Sequence, residues 1–211
     1  MRPYETDPAA IYAASFATVR AEARLDRFAP ALQPLITRLI HSCGMIEVAD
    51  RLVFSPDAVT AGQAALAAGA PVLCDCEMVG AGIIRRYLPA ANDVIVTLND
   101  PSVPDRAKEI GNTRSAAAVE LWRDRIEGAV VAVGNAPTAL FHLLELIDGG
   151  WPKPAVILGF PVGFIGAAES KAELARDPRG CAFVALRGRR GGSAMASAAV
   201  NALAAGLPED V

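Results

Sequence analysis

The sequence predicts an α/β protein: a three-layer, doubly wound, mostly parallel five-stranded sheet with a helical segment at its N-terminus. Three observations carry that reading. From Val72 onward, five short apolar runs appear without polar alternation, as strands covered on both faces require. The stretches between them are long enough for crossover helices. The 211 residues contain no Gly/Ser-rich or Pro-rich linker, so a single domain over 1–211 is expected.

The first third reads as helices. Asp7 can cap a helix with Pro8 at its first position, running through Ile11, Ser15 and Val19 to about Leu25. A second helix follows Pro30, with Leu32, Leu35, Ile36, Leu39, Ile40 and Cys43 at helical spacing and Gly44 as its stop. Ser55-Pro56 opens a third, alanine-rich helix that ends near Gly69. The five strands are then Val72–Cys74, Val94–Leu98, Ala129–Val133, Ala155–Leu158 and Phe183–Leu186. In such folds ligands bind beyond the carboxyl ends of the strands. There the chain places Asp75-Cys76-Glu77-Met78, Asn99-Asp100, Gly134-Asn135-Ala136-Pro137-Thr138, Gly159 to Gly166, and Arg187 to Ser193.

Composition narrows the partners. A content of 53% hydrophobic and 20% charged residues excludes a disordered chain. No stretch reaches the roughly 18 consecutive apolar residues of a membrane span, so a soluble protein without membrane partners is expected. A net charge of -3 argues against nucleic acid. Of the 20 basic residues, all but Lys108, Lys153 and Lys171 are arginines, which are suited to bidentate binding of carboxylates; codon bias explains such an excess equally well. Cys43, Cys74, Cys76 and Cys181 show no metal-type spacing and read as reduced, buried thiols. With no signal-peptide core in Met1-Arg2-Pro3-Tyr4-Glu5, this points to the cytoplasm.

Several candidate sites follow. Gly159 to Gly166 reads G-x-x-x-G-x-x-G and misses the dinucleotide fingerprint, and no phosphate-loop motif is present. Arg187 to Ser193 is a glycine- and arginine-rich loop opening a helix, suited to an acidic ligand or simply a solvated turn. Arg114 sits in the first turn of the helix capped by Asn112 or Thr113, where a cation opposes the helix dipole and so suggests a ligand role. Arg85-Arg86, expected in the helix after the first strand, is either a similar anchor or surface charge. His142, on an apolar helix, reads as a satisfied histidine. His41 stands off the apolar stripe, three residues after Arg38 on the same helix face, where an arginine can anchor an anion beside a group that exchanges protons near neutral pH. The pattern alone leaves His41 open between a surface histidine and an acid. No Ser-His-Asp order, paired-carboxylate motif or metal cluster stands out.

At these residues the chain closely resembles the precorrin-8X methylmutase family. The resemblance rests on Ile40-His41-Ser42-Cys43-Gly44, Val53-Phe54-Ser55-Pro56, Gly69 to Asp75 with Glu77-Met78-Val79, and Glu109 to Ala116. It continues through Val133 to Leu140, Gly159 to Phe164 with Ala167 to Lys171, and Arg187 to Ser193. It implies an isomerase of cobalamin (vitamin B12) biosynthesis that moves a methyl group from C-11 to C-12 of a corrin ring without cofactor or metal. It further implies that His41 acts as general acid, and that Ser15, Arg38, Arg85 and Arg114 contact substrate carboxylates. Members of the family carry threonine before that second arginine, where this chain has Ile84. The resemblance also implies a homodimer with the tetrapyrrole substrate bound near the subunit interface. A non-catalytic tetrapyrrole carrier on the same scaffold would keep the arginines and would not need His41.

Overall fold

The computed structural model describes residues 4–206; Met1, Arg2 and Pro3 of the N-terminal stretch and the last residues of the 1–211 span lie outside it. Helices α1 (Pro8–Glu22) and α2 (Gln33–Cys43) precede strand β1 (Leu52–Phe54) and α3 (Ala58–Ala67). Then come β2 (Val72–Cys74), α4 (Glu77–Gly82), β3 (Val94–Val96), α5 (Val103–Glu109) and α6 (Arg114–Glu120). The chain closes with β4 (Val130–Val133), α7 (Pro137–Asp148), β5 (Val156–Gly159), α8 (Ala167–Arg176), β6 (Ala182–Leu186) and α9 (Ser193–Ala205).

The strands form one sheet in the order β1-β6-β5-β4-β2-β3. All neighbours are parallel except β1, which pairs antiparallel with β6 through Leu52↔Leu186 and Phe54↔Val184. The sheet thus has six strands where the apolar runs predicted five. The extra strand is three half-buried residues at an edge, too short to declare itself beside the Ser-Pro helix signal. Ser55 extends that edge: its N–H donates to the Phe183 carbonyl and its Oγ accepts from the Phe183 N–H, both at 3.0 Å. For that reason α3 starts at Ala58 rather than at Ser55.

Two apolar layers sandwich the sheet. One face, from Val72, Val130, Val156 and Val184, packs on Val79 of α4, Leu66 of α3 and Met195, Ala199 and Val200 of α9. The other, from Leu73, Val131, Ile157 and Phe183, packs on Val119 of α6, Leu140, Leu143 and Leu144 of α7 and Leu174 of α8. Alternate residues of each strand serve opposite layers, which is why every residue of β2, β4, β5 and β6 is buried and apolar alternation is absent. Helix α2 lies outside the first layer, its Leu35, Ile36, Leu39 and Ile40 stripe buried in the core that includes α9.

The N-terminal helices end where local chemistry ends them. Asp7 caps α1 by accepting from the Ala9 and Ala10 N–H groups. The helix stops at Glu22, short of Leu25, because Arg24 adopts a left-handed φ of 46°. Gly44, at φ 67°, closes α2 and returns its N–H to the Ile40 carbonyl.

Candidate functional site

His41 occupies the last turn of α2 and meets α1 across a narrow gap. Its Nδ1 lies 2.8 Å from Ser15 Oγ, and its ring packs on Phe16 and Tyr12 at centroid distances of 5.0 and 5.7 Å. One turn earlier Arg38 is 8% exposed, its Nε donating to the Gly206 carbonyl and its guanidinium 5.4 Å from the Tyr87 ring. Ser15, Arg38 and His41, drawn from two helices, therefore form one constellation.

His41 borders two depressions. A cleft of about 410 Å³ runs from Tyr12, Arg38 and His41 past Met78 and Ile84 to Ser193 and Asn201. A second, of about 330 Å³, lies on the Ser15 side, with Thr18, Glu22 and Ile46. Met78 is 73% exposed, so the cleft offers an apolar wall beside its polar groups. Partial burial holds the His41 pKa below the ordinary histidine value, and the charge of Arg38 lowers it further. The sign follows directly: a neighbouring cation disfavours the imidazolium, so Arg38→Gln raises the His41 pKa towards its ordinary value. An NMR titration of the imidazole measures this, and an unmoved midpoint would deny the electrostatic coupling.

The structure separates the other two arginines from this constellation. Arg85 is exposed and opens a 3-10 turn (Arg85–Tyr87), not the body of α4 as the sequence suggested, because α4 stops at Gly82 and the chain turns extended at Ile83 and Ile84. It lines a separate groove of about 490 Å³ with Glu77, Ile83, Val94 and Val96. Arg114 opens α6, whose cap is Thr113 accepting from the Ala116 N–H. Its Nη2 donates to the Leu98 carbonyl at 3.1 Å and to Asn99 Oδ1 at 3.2 Å, so part of its role is to tie the end of β3 to α6.

The Arg187–Ser193 loop is stitched down. The Gly192 N–H donates to the Phe160 carbonyl at 2.8 Å, and Arg190 pairs with Glu47. Gly191 must be glycine, because a Cβ there would lie 2.2 Å from the Phe160 oxygen. Beneath the loop, Lys171 is buried and donates to the Arg190 carbonyl; burial brings its pKa down to about 8. His142 is held between Glu120 at 3.0 Å and Glu145 at 3.2 Å, the satisfied histidine the sequence suggested. All four cysteines are free thiols. Among the described residues, no group of three or more His, Cys, Asp or Glu side chains is arranged to hold a metal ion, and no helix is long and apolar enough to cross a membrane.

Sequence reasoning placed Asp75 beyond the carboxyl end of the first apolar run and gave it no role of its own. It is 2% exposed, and its carboxylate accepts from the N–H groups of Gly134, Asn135 and Ala136 at 2.9, 2.9 and 2.8 Å. It stands after β2, and its donors stand after β4, where strand order reverses and a doubly wound fold ordinarily takes its ligand. Here the chain fills that crevice with its own carboxylate. Three donors in a row at a helix start suit an anion, and here the Asp75 carboxylate takes them. The signal in the sequence was an aspartate directly after a fully apolar strand.

The precorrin-8X methylmutase family profile matches residues 10–205. The chain belongs to the precorrin-8X methylmutase family. It is similar to a Precorrin-8X methylmutase of Pseudomonas aeruginosa, at 63% identity over 97% of this chain and 98% of that one. It is similar also to a Cobalt-precorrin-8 methylmutase of Priestia megaterium, at 34% identity over 96% and 89% of the two chains. A solved precorrin-8X methylmutase from Thermus thermophilus superposes with a TM-score of 0.84 at 39% identity, over 92% of this chain and 94% of that one. The protein is an isomerase of cobalamin biosynthesis, its reaction a methyl migration, and membership in the precorrin-8X methylmutase family favours catalysis over the carrier reading.

Proposed function

We propose that the protein moves the methyl group from C-11 to C-12 of metal-free precorrin-8X, giving hydrogenobyrinic acid, with His41 as the general acid. The observation that carries the reading is the Ser15–His41–Arg38 constellation on an apolar-walled cleft. An intramolecular shift requires no nucleophile, only a polarised ring held in a reactive shape. Ser15 fixes the imidazole through Nδ1 and leaves Nε2 to meet the corrin ring. Arg38 anchors a carboxylate and at the same time depresses the His41 pKa. A bound carboxylate neutralises that cation and so removes the smaller of the two effects that hold the His41 pKa down.

Arg85 and Arg114 are read as further carboxylate anchors. Since both stand outside the His41 cleft, a homodimer with the substrate near the subunit interface is the arrangement that would let them serve one bound tetrapyrrole. The preference for the metal-free substrate rests on the 63% identity to the relative named for it, against 34% to the one named for the cobalt form. We place the reaction in the cytoplasm, with residues 1–211 acting as one domain and no cofactor, metal or nucleic acid taking part. The test is incubation of the purified protein with metal-free precorrin-8X and, separately, with its cobalt form. Growth of the product's visible spectrum only with the metal-free pigment is expected; faster conversion of the cobalt form would overturn the substrate assignment.

A further inference from the structure

We infer that Asn201 is a positioning residue that aims Arg85 by clamping the backbone between α4 and the Arg85–Tyr87 turn. This rests on the reading of Arg85 as a carboxylate anchor. Asn201, on α9, is 5% exposed, and its amide faces the segment where α4 has ended and no strand pairing has begun. Its Oδ1 accepts from the Ile84 N–H at 2.8 Å, and its Nδ2 donates to the Gly82 carbonyl at 3.0 Å. The partner types fix the orientation of the amide, since one is a donor and the other an acceptor.

The rest of the segment shows the same dependence on α9. One turn earlier on that helix, Ser197 approaches so closely that a Cβ on Gly82 would lie 2.4 Å from its Oγ. Gly82, Ile84 and Asn201 line the His41 cleft, while Ile83 and Arg85 line the groove behind it. The clamped segment is therefore the partition between the two, and its position sets how far Arg85 stands from His41. Because the clamp grips the main chain, it does not depend on which side chain stands at position 84.

A double-mutant cycle on the Michaelis constant tests this, with thermal unfolding to confirm that each variant folds. Arg85→Ala and Asn201→Ala should each raise KM about tenfold with kcat within about twofold, and the double variant should be no worse than Arg85→Ala alone, the non-additivity of residues acting as a unit. If Asn201→Ala fails to fold, Asn201→Asp, which keeps the Ile84 acceptor and loses the Gly82 donor, enters the same cycle. Additive effects, or an unchanged KM in the Asn201 variants beside a raised KM in Arg85→Ala, overturn the positioning role alone. An unchanged KM in Arg85→Ala overturns the anchor reading and the positioning role with it.

Discussion

Replacing His41 with alanine is expected to lower turnover by about 100- to 10,000-fold, the usual loss on removing a general acid, while the pigment still binds. On the proposed assignment His41 supplies the proton and Arg38 the anchor, so the two readouts separate. Arg38 keeps its place without the imidazole, since it is anchored on the Gly206 carbonyl and the Tyr87 ring. Folding should change little: His41 is exposed at the end of α2, and its removal forfeits the Ser15 contact and the ring contacts with Phe16 and Tyr12. Stopped conversion together with retained pigment absorbance on the protein is the expected result. Turnover near that of the unaltered enzyme would remove His41 from the chemistry and leave the constellation a binding feature.

The same constellation shows what a sequence can carry. Arg38 and His41 are three residues apart on one helix, so their shared face was legible from spacing alone. Ser15 is 26 positions from His41, and no periodicity within either helix says that α1 will lie against that face. It entered only through the resemblance. The resemblance also grouped Arg85 and Arg114 with the other three, and here the fold divides them: α4 and the partition behind it stand between Arg85 and the cleft. A motif records that residues are needed, and does not record from which side they act.

The strands tell a parallel story. The runs of β2, β4, β5 and β6 were legible because they are buried and nothing polar interrupts them, and half-buried β3 was legible by its uninterrupted Val94–Val96 run, whereas β1, beside the Ser55-Pro56 helix signal, shows itself only through its partner β6. Position Asn201 was opaque for a similar reason. An asparagine in an alanine-rich helix reads as a weak helix former, and its value appears only when the ends of another element are brought against it.

Asp75→Ala should be the most damaging of the single changes to stability. Three main-chain N–H groups converge on this carboxylate, and a buried donor left without a partner costs about 1–3 kcal/mol. Against their sum stands the recovered cost of burying the carboxylate itself, the burial that pushes the Asp75 pKa upward against the pull of the three donors. The balance is a loss of about 3 kcal/mol, a large share of a typical folding free energy of about 5–15 kcal/mol. At about 2–4 °C per kcal/mol for a domain of this size, Tm should fall by about 6–12 °C. The vacated cradle gives a further, sharper expectation, because alanine leaves a carboxylate-shaped space lined with donors at the start of α7. Formate should therefore raise the Tm of Asp75→Ala more than chloride at equal ionic strength, and should not do so for the unaltered protein, whose cradle is filled. A variant that melts where the parent does, or that responds to the two salts alike, would show that the Gly134–Ala136 turn holds itself and that the carboxylate is incidental to it. For the fold, the consequence is that the donors at the switch point between β2 and β4 are taken by the chain's own carboxylate, and the proposed substrate cleft between α2, α4 and α9 is a different place.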